Sequence, residues 1–92
     1  MNVKGFKDIT GQEFVAEVFE SSEKTITIKS PICLVPTEKG MMPVPYLMST
    51  QEKVVLNKLS LMFEPFNIED NIANFYKEKF GGIVSPPTGL IL

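Results

Sequence analysis

A polar pair, Asn57-Lys58, interrupts the most apolar stretch of the chain, LNKLSLMFEP at residues 56–65. An amide beside an ammonium group can offer hydrogen bonds and positive charge to a ligand. The same pair is also typical of a polar turn between two strands. The pair is therefore a candidate binding site that has a purely structural alternative.

The residue types that are missing restrict the chemistry further. The sequence has no His, no Trp and no Arg, all nine basic residues are Lys, and Cys33 is the single cysteine. His is the commonest general base and metal ligand, and one Cys cannot supply a zinc cluster. We therefore expect no metal, no cofactor and no enzymatic activity; catalysis would have to use Lys, Ser, Tyr or carboxylates.

Length, composition and charge define the class of protein. With 92 residues, 43% apolar and 22% charged, the sequence predicts one globular domain with a thin core, spanning residues 1–92. A net charge of −2 and a pI near 5.1 argue against a broad nucleic-acid footprint but leave room for a small basic patch. No apolar run is long enough for a membrane helix, the N-terminus lacks the apolar core of a signal peptide, and a lone cysteine suits a reducing compartment. These features predict a cytoplasmic protein with no membrane partner.

Alternating apolar residues predict five short strands. Phe14, Ala16 and Val18 share one face of a strand at residues 12–20, and Ile26 and Ile28 point inward from the next strand. The predicted strands are residues 2–8, 12–20, 25–29 with a continuation at 32–35 after an interruption at Pro31, 54–56 and 59–63.

The segment MMPVPYLMS, residues 41–49, allows two interpretations. As a strand it could pair on one side only, because Pro43 and Pro45 lack donors on one edge while Val44 and Tyr46 keep theirs on the other. As a loop it would pack methionines into gaps of the core. The pattern favours neither.

The hydrophobic period changes after Pro65 and predicts a helix at about residues 68–80. Asn67 is a candidate N-cap, Gly81-Gly82 a stop signal, and the apolar side chains at helical spacing are Ile68, Ile72, Phe75, Tyr76 and Phe80. Residues 83–92 are expected to form an extended tail that docks on the body or on a neighbour. The phenylalanines expected in the core are Phe14, Phe63, Phe75 and Phe80.

These elements indicate a mainly β fold, a small and strongly bent antiparallel sheet or partly open barrel with a C-terminal helix. Such a sheet has edges that a short chain can hardly cover. We therefore expect a homo-oligomer closed by strand pairing between subunits, a ring of about five to seven copies.

Four stretches carry a resemblance to a known family: TGQEFVAEV at residues 10–18, the Ser30-Pro31 step, VVLNKLSLMFEP at 54–65, and FGGIVSP at 80–86 after Phe75-Tyr76. Together they resemble the Sm-like fold of the eukaryotic Sm and LSm proteins and bacterial Hfq, and in particular the Sm-like proteins encoded by marine bacteriophages. The resemblance covers most of the chain. It implies a five-stranded Sm-like barrel over about residues 2–65, and host cytoplasm as the location if the chain is phage-encoded.

The resemblance also implies a binding site and an interface. In Sm-like rings a tight turn between the last two strands, usually carrying Arg-Gly, contacts RNA together with an Asp and an Asn in the loop after the second strand. Here Asn57-Lys58 stands where the Arg-Gly turn would be, and Ser22 and Thr25 stand near the Asp and Asn positions. The candidate nucleic-acid-binding residues are Ser22, Lys24, Thr25, Asn57 and Lys58, and the candidate interface residues are Val44, Tyr46, Leu59 and Leu61.

Three functions fit these residues. The first is a ring that binds single-stranded RNA or DNA, which would serve in phage nucleic-acid processing. The second is a structural or adaptor ring that binds no nucleic acid, favoured by the acidic pI and the absence of Arg. The third is an enzyme, which the absence of His disfavours.

Overall fold

A computed structural model describes residues 1–49 and 51–81. The fold is mainly β, as the sequence predicts, with five antiparallel strands and a C-terminal helix. The elements in chain order are β1 (Val3–Lys7), β2 (Glu13–Ser21), β3 (Thr25–Thr37), β4 (Gly40–Pro45), β5 (Lys53–Asn57), a short 3-10 turn (Lys58–Ser60) and α1 (Asp70–Phe80).

The long strand β3 is the centre of the sheet. One of its edges pairs with β2, while the other pairs with β5 over residues 25–29 and with β4 over residues 32–37. The change of partner falls at Ser30, which has a positive φ of 50°, and at Pro31, which has no N–H to donate. The interruption predicted at Pro31 is therefore a change of pairing within one continuous strand.

The segment with alternating prolines is a strand and not a loop. Pro43, Val44 and Pro45 lie opposite Leu34, Cys33 and Ile32 of β3. Just beyond β4, the N–H of Tyr46 donates to the carbonyl of Pro31 at 3.0 Å. The donors therefore face β3, and the outer edge of β4 is without N–H groups at both prolines, as the spacing predicts.

The predicted fifth strand at residues 59–63 is wrong. Residues 58–60 form the 3-10 turn. The segment after it makes only two isolated bridges, between Phe66 and Gly5 of β1 and between Leu61 and Asp8, the residue that follows β1. Gly5 and Phe66 exchange two backbone hydrogen bonds of 2.8 and 2.9 Å. Pro65 supplies no donor between these bridges, so a continuous ladder does not form, and the sheet is not closed into a barrel.

Apolar side chains form one cluster on each face of the sheet. The inner cluster contains Phe6, Phe14, Ala16, Ile26 and Ile28, which confirms the alternation expected for the second and third strands. The second cluster contains Val15, Ile32 and Tyr76, and the helix covers it. The helix therefore shields the sheet face that a single layer would expose to water.

The helix differs from its predicted form in its start and in one aromatic residue. It begins at Asp70 with Glu69 as N-cap, so the prediction of Asn67 as N-cap is wrong. The side chain of Asn67 instead accepts a hydrogen bond of 2.5 Å from Lys4 Nζ. Phe75 is exposed, and so is Phe63 in the segment after the turn, so the prediction that both are core residues is wrong. Phe14 is buried, and Phe80 packs half-buried on the second cluster.

Two sequence expectations remain, the C-terminal tail and the absence of a membrane helix. The expected tail at residues 83–92 lies outside the described residues. Within the described ranges, no helix is long and apolar enough to span a membrane.

Candidate functional site

The turn after β5 is built by its own polar side chains. Asn57 Oδ1 accepts a hydrogen bond of 2.9 Å from the N–H of Leu59, and the Ser60 hydroxyl donates to the Asn57 carbonyl at 2.7 Å. Asn is suited to this position because its short side chain reaches a backbone N–H two residues ahead. The Asn57-Lys58 pair is therefore a polar turn. If the pair also binds a ligand, it must use polar groups that do not form hydrogen bonds within the turn.

The loop between β2 and β3 is organised in the same way. The Ser22 hydroxyl lies 2.9 Å from the Thr25 hydroxyl and 3.2 Å from the Thr25 N–H, and the Ser22 N–H donates to the Thr25 carbonyl at 2.8 Å. These bonds close a tight hairpin and leave Glu23 and Lys24 exposed at its tip.

The structure brings this loop and this turn together. The N–H of Lys58 donates to the carbonyl of Lys24 at 2.8 Å, and Thr25 lies opposite Asn57 in the pairing of β3 with β5. All five residues proposed from the sequence as a binding site are thus neighbours. We call this set, Ser22, Lys24, Thr25, Asn57 and Lys58, the loop–turn surface.

The loop–turn surface presents mainly positively charged groups to a ligand and few neutral hydrogen-bonding groups. The hydroxyls of Ser22 and Thr25 and the side-chain oxygen Oδ1 of Asn57 already form hydrogen bonds within the hairpin loop and the turn. The groups left for a ligand are the Asn57 amide N–H₂ and the ammonium groups of Lys24 and Lys58. Neither ammonium group forms an ion pair with any of the residues that the structure describes. Lysine ammonium groups suit phosphate oxygens as point charges.

A pocket of about 320 Å³ adjoins this surface. Its lining residues are Glu23, Lys58, Leu61, Met62, Phe63, Glu64 and Pro65. Phe63 and Met62 have exposed fractions of 57% and 49%, so apolar surface and charged groups meet here. Sequence reasoning missed the contribution of Phe63, because a strand at residues 59–63 placed its ring in the core. The sequence signal for its exposure was the charged residues that flank this apolar run, Lys58 before it and Glu64 after it.

The four candidate interface residues occupy different environments. Leu59 has an exposed fraction of 83% and is available for a contact with another molecule. Tyr46 stacks on Phe14 with ring centroids 3.8 Å apart, and Leu61 packs on the inner cluster. Val44 is half-buried within the pairing of β4 with β3. These three side chains contribute mainly to the fold of their own chain.

Asp8 anchors a second polar cluster, next to the inner core. Its carboxylate accepts hydrogen bonds from the N–H groups of Thr10 and Gln12, from the Thr10 hydroxyl, and from the Tyr46 hydroxyl at 2.5 Å. The bonds from the Thr10 and Tyr46 side chains, in that order, are the main causes that lower the pKa of Asp8 to about 2. Burial and the nearby carboxylate raise the pKa of Tyr46, and burial raises the pKa of the Cys33 thiol.

The Asp8 cluster has a structural role. Asp8 accepts these bonds but is exposed by only 8%, and a thiol with a raised pKa is a poor nucleophile. Across residues 1–49 and 51–81, no group of three or more His, Cys, Asp or Glu side chains is placed to hold a metal ion. The sequence signal for this cluster is the spacing of Asp8, Thr10 and Gly11, which is typical of a turn closed by an Asp side chain.

The loop–turn surface and its pocket therefore form the candidate functional site. No protein-family model matches the sequence, and no curated protein has significant sequence similarity to it.

Proposed function

We propose that the protein is a ring-forming, Sm-like homo-oligomer that binds single-stranded RNA or DNA through the loop–turn surface. The observation that carries this proposal is the hydrogen bond from the Lys58 N–H to the Lys24 carbonyl, which holds two lysines of distant sequence position on one surface. In a ring each of these lysines is repeated once per subunit. A chain of net charge −2 can in this way present one concentrated cationic spot to a phosphate strand.

Exposed apolar residues around the site support self-association. Val55 on β5 and Leu59 in the turn have exposed fractions of 63% and 83%. Strand β5 pairs on one edge with β3, and no other described strand pairs with it. A free strand edge flanked by exposed apolar side chains favours pairing with another copy of the chain.

Titration of short single-stranded RNA and DNA at two salt concentrations tests the binding. If a strand contacts about four lysines, its affinity should fall roughly fiftyfold between about 50 and 200 mM salt. The variant Lys58→Glu should bind far more weakly and with a smaller salt dependence. Lys77→Glu on the exposed surface of α1 is the matched control and should bind like the parent. Equal affinities of parent and Lys58→Glu, or no binding by the parent at low salt, would refute the binding function.

A structural or adaptor ring without nucleic acid is the second candidate. The carboxylates of Glu23 and Glu64 next to Lys58 favour it, because they repel a phosphate strand. This candidate predicts a stable oligomer whose affinity for nucleic acid is negligible even at low salt. Light scattering combined with the same titration separates the two candidates, and a stable monomer contradicts both.

A further inference from the structure

The pocket beside the loop–turn surface combines three kinds of side chain in one concave site. Its lining residues include the exposed aromatic residue Phe63, the cationic Lys58 and the acidic Glu23 and Glu64. Its volume of about 320 Å³ lies at the lower end of the range of roughly 300 to 1,000 Å³ that is usual for small-molecule sites. The site therefore has room for one planar group.

Phe63 supplies a surface for stacking. Phe63 has an exposed fraction of 57%, and the neighbouring Met62 has one of 49%. Proteins that bind unpaired nucleotides stack the bases on exposed aromatic rings, and contact of this kind is tolerant of base identity. Phe63 thus accounts for binding of a base but not for a choice among bases.

The two carboxylates supply that choice. An ionised carboxylate only accepts hydrogen bonds, so it favours a base edge that carries donors. Guanine has adjacent N1–H and N2–H₂ donors that a single carboxylate can accept together. Uracil has one N–H flanked by two carbonyl oxygens, and the partial negative charge of these oxygens repels a carboxylate. Neither Glu23 nor Glu64 forms an ion pair with another described residue, so both can accept from a ligand.

We propose that this pocket binds one unpaired guanine of a single strand. The base stacks on Phe63, the carboxylate of Glu23 or Glu64 accepts its Watson–Crick donors, and the ammonium group of Lys58 contacts the adjoining phosphate. This inference rests on the proposed function, because it assigns a base preference to the pocket that adjoins the loop–turn surface.

Heptanucleotides with a single variable base test the preference. Fluorescence anisotropy at low salt would compare UUUGUUU with UUUUUUU, UUUAUUU and UUUCUUU, in which an isolated guanine cannot form the stacked assemblies of guanine runs. We expect UUUGUUU to bind about tenfold more tightly than UUUUUUU, the size of a single good base contact. The proposal would be overturned if all four heptamers bind equally, or if any of the other three binds more tightly than UUUGUUU.

Variants of the carboxylates test the cause of the preference. The double variant Glu23→Gln with Glu64→Gln replaces pure acceptors with amides and should reduce the guanine preference to about twofold or less, while binding of UUUUUUU stays equal or improves. Glu38→Gln, in the exposed turn between β3 and β4, removes one charge away from the pocket and should keep the full preference. An unchanged preference in the double variant would overturn the assignment.

Variants of the ring test the stacking. Phe63→Ala should weaken UUUGUUU about tenfold, and Phe63→Leu, which keeps an apolar side chain and so guards against a folding defect, should weaken it nearly as much. Phe75→Ala on α1 is the control for loss of an exposed ring and should bind like the parent. If Phe63→Leu binds like the parent, the pocket proposal fails while the proposed function stands. If the parent binds none of the heptamers at low salt, both fail.

Discussion

Removal of one buried hydroxyl, by Tyr76→Phe, should destabilise the protein more than any other change of a single oxygen atom in the helix. Tyr76 has an exposed fraction of 1%. Its hydroxyl accepts a hydrogen bond of 3.1 Å from the Glu17 N–H and donates to the carbonyl of Lys29 at 2.6 Å, with the Ser30 carbonyl at 3.0 Å. Burial raises the pKa of Tyr76 to about 12, so at neutral pH the hydroxyl keeps the proton that it donates.

The hydroxyl contacts backbone groups where the pairing of the sheet is irregular. The register between β2 and β3 shifts between Val15 and Glu17, and β3 changes partner at Ser30. A phenylalanine would leave the Glu17 N–H and the Lys29 carbonyl without this partner, at about 1 to 3 kcal/mol for a buried group. We expect a loss of about 2 to 4 kcal/mol, from a total stability of about 5 to 14 kcal/mol for a domain of this size.

Thermal and urea denaturation followed by circular dichroism measure this loss. The midpoint of thermal unfolding should fall by roughly 10 to 25 °C. Phe75→Leu, at the exposed neighbouring position, is the control and should change stability by about 0.5 kcal/mol or less. Amide hydrogen exchange adds a local measurement, since the Glu17 N–H should lose protection in Tyr76→Phe. A loss below about 0.5 kcal/mol with the Glu17 amide still protected would refute the assigned contacts.

Three further changes test other parts of the fold. The folded state holds the Asp8 pKa near 2 against an ordinary value of 3.8. The stabilisation from this carboxylate is therefore complete above about pH 4 and should be lost as the pH falls towards 2. Urea unfolding of the parent and of Asp8→Asn across this range measures how the free energy of unfolding depends on pH, and the variant should lack the part of this dependence that Asp8 contributes. Tyr46→Phe removes the donor to Asp8 Oδ2 and should cost about 1.5 to 3 kcal/mol with the ring stack on Phe14 kept; an unchanged unfolding midpoint would contradict the bond. Gly5→Ala would place a methyl group against the ring of Phe66 and should cost about 1 to 3 kcal/mol in the same assay, whereas parent-like stability would contradict the close approach of β1 to this segment.

The alternating strands were predictable because their signal is local. Phe14, Ala16, Ile26 and Ile28 alternate along the chain and share one cluster, and the positive φ of Gly11 at 91° follows from its place in a tight turn. The alternating prolines likewise predicted which edge of β4 pairs, although the sequence left open whether the segment is a strand at all.

The features that the sequence did not predict depend on contacts between distant residues. Asn67 is a good N-cap by residue type, but the helix starts at Asp70, and the Asn67 side chain bonds to Lys4, which is far away in the sequence. Phe63 lies in an apolar run that predicts a buried strand, yet the 3-10 turn before it changes the direction of its side chain. The loop–turn surface was predicted through a family resemblance, whereas its link through the Lys58 N–H comes from the register of β5 on β3.

Native mass spectrometry of the protein mixed with UUUGUUU tests the central proposal most directly, because it reports subunit number and bound nucleic acid together. The chain has a mass of 10.3 kDa, so a ring of five to seven copies should appear at about 50 to 70 kDa. The proposal predicts this ring with one strand bound, and the same ring without a strand for Lys58→Glu. A monomer as the main species, or a ring that carries no strand at low salt, would contradict it.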